Sequence, residues 1–535
     1  MSLSNSINAD NRGKWTALIA ALLGWLFDGF EIGMFPLVGT HALRELLSDE
    51  IASNPNVVDQ WFGAILSVFL IGAATGGVFF GWLGDRLGRV RAMSLSILTY
   101  ALFTGFCGFA SEAWQIAILR FIASLGMGGE WALGVSLVTE LWSDKSRALI
   151  AGLIGAAANV GFLLVGLLSL TLVRILPHVT QALRWSGLLS ESAIDALVRN
   201  EGWRLLMIAG AAPAAIVFFI RLFVPESKKW EAAQREGATS YWATKDLLGV
   251  LVGSCAAIVM VGLWSPLGEQ WLRGYDGATA GATSVILRWA LTLAGVLIAL
   301  LGFMHPVSRY MKRATESKMM TIADSRLYRR RLLLGALLAA IPLLGTWGSL
   351  QWAPKWAIAL SSMLPAGKGP YYAKEFTQIS SATGAIVGSI LAALAGGLFG
   401  RRVTYAVLCV GSFASLAFMY SWNDAFGAAL LASVFVAGSF TAAFYGWFPL
   451  YFPELFPTSI RATSQGFAYN FGRVLSAVGA SQTAVLTVYF SQGITAERIA
   501  IDAFPRAGAT LAGIYLLGLL VIWFGPETKG LPLPD

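Results

Sequence analysis

The chain has 535 residues, of which 56% are hydrophobic and only 13% charged, with a mean hydropathy of +0.66. A water-soluble chain of that size needs far more polar surface, so the composition excludes a soluble globular protein and points to an integral membrane protein. The net charge of +8 is accounted for by loop topology, and no nucleic-acid partner is needed to explain it.

The polar start, "MSLSNSINADNRGK", has no short apolar core followed by a small-residue cleavage site. The first apolar run is therefore expected to stay as a membrane span. Apolar runs of about 20 residues, the length that crosses a bilayer, begin near Trp15, Trp61, Ala92, Trp114, Leu149 and Leu205. Two more cover about Leu247–Trp264 and Ser284–Met304. Six others begin near Leu332, Thr377, Val403, Ala425, Thr463 and Ala507. The expectation is twelve spans plus two, fourteen in all. Cys107, Cys255 and Cys409 fall inside these runs and read as small buried packing residues.

Loop charge sets the orientation. Segment 81–91 carries Arg86, Arg89 and Arg91 against Asp85, and segment 305–331 carries eight Lys/Arg against Glu316 and Asp324. Segment 40–60 has Glu45, Asp49, Glu50 and Asp59 against Arg44. Both termini and the central loops are thus expected in the cytoplasm. Segment 353–375, with Lys355, Lys368 and Lys374 against Glu375, runs against that rule, yet span parity puts it outside.

Three phrases occur twice in the same order. "GWLGDRLGRVRA" (Gly81–Ala92) has a worn counterpart, "GGLFGRRVTYA" (Gly396–Ala406), without the Asp-Arg. "TELWSDKSRALIAG" (Thr139–Gly152) matches "PELFPTSIRATSQG" (Pro453–Gly466), and "FVPESK" (Phe223–Lys228) matches "FGPETK" (Phe524–Lys529). Repeats of this kind imply an all-α membrane protein of two six-helix bundles with a substrate site between them. The boundaries drawn are residues 1–228 for the first bundle, 229–330 for a central region with two added helices, and 331–535 for the second bundle.

On these phrases the chain resembles the major facilitator superfamily. "GWLGDRLGR" is similar to its loop signature, and the Glu-x6-Arg pairs with "PESKK" and "PETKG" resemble its sugar-porter branch. "LLGWLFDGFE", "RFIASLGMGGEW" and "GFAYNFGR" resemble the sialate and related organic-acid–proton symporters, which also carry two added helices. "GMGGE" is similar to the phosphate–proton symporters. The resemblance implies alternating access, a latch at Asp85, and a proton-coupling role for Glu130.

Charges inside a membrane cost about 2.5–3.5 kcal/mol each on insertion scales, so each calls for a reason. Asp28 and Glu31 stand three apart on one helical face, roughly 20 and 24 Å from the inner end. Burial raises a carboxylate pKa towards the range a proton carrier needs; a permanent pair with an arginine is the other reading. Arg120 lies about 10 Å from the outer face, at the depth of Glu31, which makes an Arg120–Glu31 pair an expectation, with Asp28 competing. Glu130 follows Gly126, Gly128 and Gly129 and is either a proton carrier or a structural hydrogen-bond partner.

Arg473 lies near the midplane beside Tyr469 and Asn470. With no acid close by in its half, an incoming carboxylate suits its planar fork; a structural pair across the cavity is the alternative. Gln351, Trp347, Tyr445 and Asn159 are further candidates for a cavity lining. Asp85, Arg86, Arg89, Glu140, Arg147, Glu454 and Arg461 are expected to form the inner gate, with Glu140/Arg147 and Glu454/Arg461 as charge clusters.

The combined expectation is a proton-coupled symporter of a small organic anion, a sugar acid or other carboxylate. A facilitator or symporter for a neutral sugar and a non-transporting membrane sensor are the alternatives. Neither an enzyme site nor a Walker-type loop is present, and no cofactor or metal is expected. The partners expected are a small-molecule substrate, protons and membrane lipid. The chain is expected to be a monomer in a bacterial inner membrane.

Overall fold

The computed structural model describes residues 2–534 except 55–56, 143–145, 222–223, 266–267, 269–270, 273–281, 365–371 and 496–497. Residues 143–145 of the first repeated phrase, Phe223 and Lys368 therefore lie outside the described residues. Each of the fourteen expected spans coincides with a helix. In chain order these are α1 (Ser2–Leu46), α2 (Val57–Leu87), α3 (Arg89–Cys107), α4 (Ala113–Leu141), α5 (Arg147–Ser186), α6 (Glu191–Arg221) and α7 (Leu247–Gly262). They continue as α8 (Ala282–Glu316), α9 (Ile322–Gly348), α10 (Ala373–Phe399), α11 (Arg401–Trp422), α12 (Ala428–Thr441, continued by Phe444–Tyr451), α13 (Arg461–Phe490) and α14 (Phe504–Ala512, continued by Ile514–Val521).

Twelve helices among the described residues are long and apolar enough to cross a membrane, two fewer than the fourteen expected. The two not counted are α6 and α13. In α13 the polar side chains Thr463, Ser464, Gln465, Asn470, Arg473 and Ser476 are all buried. Residues 461–479 of this helix face protein rather than lipid, so that stretch does not need to be apolar.

Packing follows the repeats. In the first six helices α1 packs on α5 and α2 on α4; in the last six α9 packs on α13 and α10 on α12. The two halves meet along α2 with α13 and α5 with α10, pairs that exchange under the same internal two-fold relation. Glycine permits the α2–α13 approach: a Cβ on Gly466 would stand 2.0 Å from the Gly77 carbonyl oxygen. Small residues at crossings let dispersion contacts form where lipid offers no hydrophobic drive.

The added helices α7 and α8 pair with each other and lie on α2 and α13. Their remaining faces carry exposed Leu248, Leu251, Val252, Val285, Ile286 and Leu293, as lipid contact requires. Cys107 and Cys409 are buried, but Cys255 on α7 is exposed, which corrects its reading as a packing residue. Burial had been inferred from apolar neighbours, and a helix in lipid has apolar neighbours on its outward face too.

Candidate functional site

At the end of the bundle carrying residues 81–91, here called the inner end, buried charges form two clusters. Glu140, at the end of α4, takes hydrogen bonds from Arg89 Nη2 at 3.2 Å, Arg461 Nη1 at 2.8 Å and the Ser227 hydroxyl. Glu454 takes them from Arg401 Nη2 at 2.6 Å, Arg147 Nη1 at 3.0 Å and Thr528 Oγ1 at 2.6 Å. The clusters are copies, residue for residue: Arg89 with Arg401, Arg461 with Arg147, Ser227 with Thr528. Arg89 and Arg401 each open a helix behind a glycine, Gly88 at φ 113° and Gly400 at φ 97°. Only glycine enters that region without strain.

The charge pairs cross between the halves. The expectation of Glu140/Arg147 and Glu454/Arg461 clusters is corrected: Glu140 pairs with Arg461, and Glu454 with Arg147. Each glutamate sits on one bundle and its long-range arginine on the other.

Asp85 supplies a further link. Its carboxylate accepts from Arg89 Nη1 at 2.7 Å, the Thr463 N–H at 2.8 Å, the Thr463 hydroxyl at 2.6 Å and the Ala462 N–H at 3.2 Å. It thus satisfies free amides in the first turn of α13, where a negative charge also meets the helix dipole. In the second copy the matching residue is Gly397, whose Cβ would lie 3.0 Å from Ala148 Cβ. Close backbone packing replaces the carboxylate there. Arg86 turns away from both clusters and donates to Thr244 Oγ1 at 2.8 Å.

The "PES" and "PET" glutamates hold the same helix starts. Glu226 accepts from the Arg89 N–H at 2.9 Å, and Glu527 from the Arg401 N–H at 3.0 Å. Burial pushes Glu226 above the usual carboxylate range. At Glu527 burial also pushes upward, but the Arg401, Arg402 and Lys529 amides outweigh it and hold that carboxyl below the range.

Further along the axis lies an aromatic layer. Trp131 of α4 and Tyr469 of α13 stack with centroids 4.0 Å apart and planes 16° off parallel. Tyr445 and Phe448 meet Tyr469 edge-on at 6.5 and 5.7 Å. Arg473, one turn above Tyr469, sets its guanidinium 5.3 Å from that ring. It is 8% exposed, and its Nη1 has no hydrogen-bond partner among the described residues. Asp28, buried on α1, lies within electrostatic range of Tyr469. Elements of both halves thus converge on one polar spot in an apolar surround.

Glu31 and Arg120 form a buried ion pair, with Thr104 Oγ1 donating to Glu31 at 3.1 Å. Phe69 and Phe35 lie 4.6 and 5.2 Å from the Arg120 guanidinium, so this pair is shielded from water. Glu130 is fully buried. Asn470 donates to the Gly128 carbonyl at 3.1 Å and the Gly466 carbonyl at 3.0 Å, tying α13 to α4. Asn159 donates to the Gly155 carbonyl at 2.9 Å and Ser389 Oγ at 3.4 Å, tying α5 to α10. Trp347 packs with Phe69, Leu70, Met127 and Ala477. Gln351 is exposed, in the turn Leu350–Trp352, and stands outside this cluster.

The opposite end is bridged as well. Ser169 Oγ donates to Glu375 at 2.8 Å, and Lys374 Nζ to the Pro36 carbonyl at 3.3 Å. The two halves are thus tied on both sides of the polar spot.

Comparison with known proteins agrees with this geometry. The family model "Sugar (and other) transporter" matches residues 16–250. A putative metabolite transport protein of Haemophilus influenzae is 25% identical over 527 residues, covering 98% of each chain. The cis,cis-muconate transport protein of Acinetobacter baylyi is 25% identical over 464 residues, 86% of this chain and 85% of that one. The solved structure of the major facilitator proton:xylose symporter XylE superposes with a TM-score of 0.65 at 16% identity, covering 98% of both. The chain has the major facilitator fold. This multi-pass membrane protein is a transporter and not an enzyme.

The residues that sequence reasoning missed are Arg401, Ser227 and Thr528, which complete the two clusters, and Trp131, which faces Tyr469. The first three were legible in principle, since each sits inside a repeated phrase. Trp131 carried no such signal among 20 tryptophans.

Proposed function

We propose that the protein is a secondary active transporter that carries a small organic anion together with protons by alternating access. The observation that carries this reading is Arg473: a permanently charged guanidinium, buried in an apolar surround, with one nitrogen unsatisfied among the described residues. A buried guanidinium with an unsatisfied donor is costly, and a substrate carboxylate relieves the cost by bidentate hydrogen bonding. The relatives support the reading, since one of them is a cis,cis-muconate transport protein.

In this proposal Tyr469, Trp131 and Tyr445 form the apolar walls beside the anchor. Asp28, Glu31 and Glu130 are the proton carriers. Protonation of Glu31 removes its attraction to Arg120, which frees α1 from α4. The inner clusters of Asp85, Arg89, Glu140, Arg147, Glu454 and Arg461 act as the gate. Proton and substrate shift the gate only through unequal affinity for its two states. The working units are residues 1–228, 229–330 and 331–535, in a monomer with both termini on the cytoplasmic side of a bacterial inner membrane.

The test is uptake into proteoliposomes from a panel of mono- and dicarboxylates and neutral sugars, with and without an imposed proton gradient. Gradient-driven uptake of a carboxylate, lost in Arg473→Gln, is the expected result. Gradient-independent uptake of glucose-like solutes would overturn it in favour of a sugar facilitator.

A further inference from the structure

We propose that the added hairpin braces the inner gate shut, with Trp242 and Thr244 as its positioning residues. The proposal rests on the transport reading above and extends it to a part of the chain that the repeats leave unexplained.

The segment linking the first bundle to α7 folds with the inner end of α8 into a fixed block. Arg313 forms a two-pronged ion pair with Asp246, one contact of 3.1 Å between Nη1 and Oδ1. Arg313 Nε also donates to the Tyr241 carbonyl at 2.7 Å, and the Tyr310 hydroxyl to the Ala238 carbonyl at 3.1 Å. Trp242 lies against Tyr310 with ring centroids 4.5 Å apart. Asp246, Tyr310 and Trp242 are 1%, 2% and 4% exposed. A charge pair with filled hydrogen bonds inside a packed surround fixes geometry.

This block and its flanks touch both halves of the gate. Towards the first half, Thr244 Oγ1 accepts from Arg86 at 2.8 Å, the Ser254 and Thr75 hydroxyls meet at 2.6 Å, and Trp230 Nε1 donates to the Asp85 carbonyl at 2.9 Å. Towards the second half, Trp242 Nε1 donates to the Ser459 carbonyl at 3.3 Å. Ser459 follows Thr458, whose carbonyl takes Arg89 Nη2 at 2.7 Å. It precedes Arg461 by two residues, the partner of Glu140. The brace therefore ends inside the gate.

Among the described residues the second gate cluster has no such brace. Arg86 corresponds to Leu398, so the side chain that reaches the hairpin on one side is missing from the other. When the inner end opens, Asp85 and Glu140 part from Thr463 and Arg461. The block cannot then hold both halves. Polar contacts from Thr244, Ser254 and Trp230 tie the hairpin and its linker to the first half, while Trp242 and Tyr310 reach Ser459 in the second, so the Ser459 contact is the joint that breaks. Its loss shifts the resting population towards the inward-open state.

The test is a spin-label distance measurement on the full-length protein in lipid nanodiscs. Labels go on Arg91→Cys and Val403→Cys, at exposed inner ends of α3 and α11, in a Cys255→Ser background. Trp242→Phe keeps the ring and removes the donor; Thr244→Val removes the acceptor, and Thr244→Ser restores it. Loss of one hydrogen bond corresponds to about a two- to tenfold rise in the ratio of long to short distances. That rise is expected for Trp242→Phe and Thr244→Val, with melting temperature unchanged and Thr244→Ser like the parent. Unchanged distance distributions in both variants would overturn the proposal. So would the same shift in a lipid-facing control, Leu251→Ala. Distances need no substrate, so failure of the brace is read separately from failure of the transport reading, which shows only in uptake.

Discussion

Arg461 Nη1 lies 2.8 Å from Glu140 Oε1, and its repeat partner Arg147 lies 3.0 Å from Glu454 Oε1. Both pairs are buried, and both join one bundle to the other. The two copies of one phrase thus complete each other rather than themselves.

Removing one partner of a buried pair leaves an uncompensated charge, at about 3–5 kcal/mol. Glu454→Gln strands Arg147 and Arg401 together and is expected to favour the inward-open state. Alkylation of a cysteine introduced at the inner end should rise about tenfold or more over the parent. Arg147→Gln in the same chain is expected to recover part of the closed population; equal accessibility in single and double variants would contradict the crossed pairing.

Arg473→Gln is expected to weaken carboxylate binding about 10- to 100-fold, the range for a hydrogen bond to a charged group. Arg473→Lys should recover only part, since an ammonium lacks the planar fork. Equilibrium binding by scintillation proximity, with a labelled carboxylate identified in the uptake panel, measures this directly.

Glu31→Gln is expected to abolish the response of uptake to a proton gradient while leaving counterflow exchange of substrate. The buried Arg120 then loses its partner, so Glu31→Gln/Arg120→Gln should be more stable than Glu31→Gln alone. Retained gradient-driven accumulation in Glu31→Gln would transfer the role to Asp28 or Glu130.

The pH response of the two Pro-Glu phrases should differ in sign. The pKa of Glu527 is depressed by folding, so its stabilising contribution is present above the ordinary value of 4.5 and is lost as pH falls through the folded value. Glu226 is raised, so its contribution is present below the ordinary value and is lost as pH rises through the folded one. In melting curves from pH 4 to 8, Glu527→Gln should be most damaging at the neutral end, and Glu226→Gln least damaging there.

Gly466→Ala is expected to destabilise the α2–α13 contact by about 1–3 kcal/mol, because an added Cβ would overlap the Gly77 carbonyl. A fall in melting temperature together with lost uptake checks this. Gly493→Ala, at an open turn position with φ 78°, should be milder, since only backbone strain applies.

Much of this architecture was legible in the sequence because its causes are local. Apolar runs of spanning length, arginine-rich short loops and three repeated phrases follow from what a bilayer accepts and from an internal duplication. The buried charges Asp28, Glu31, Arg120, Glu130 and Arg473 stood out for the same reason: an apolar run shows its exceptions. Depth counting along two antiparallel helices also placed Arg120 level with Glu31.

Which charges meet across the halves was decided only by the tertiary structure. Glu140 and Arg461 are 321 residues apart, and no periodicity relates them; their contact depends on how two rigid bundles are docked. The same holds for Asn470 and Asn159. They read as cavity-lining candidates by residue type, but they reach backbone carbonyls and Ser389 on neighbouring helices. Helix α13 marks the boundary most clearly: lying against α2 and α9, its first half is shielded from lipid and free to carry the polar residues from which a site can be built. Sequence therefore determined what crosses the membrane and which charges resist doing so, since both depend on transfer from water to hydrocarbon. Packing determined which of those charges are neutralised within the protein and left Arg473 beside Tyr469 with one nitrogen unsatisfied among the described residues.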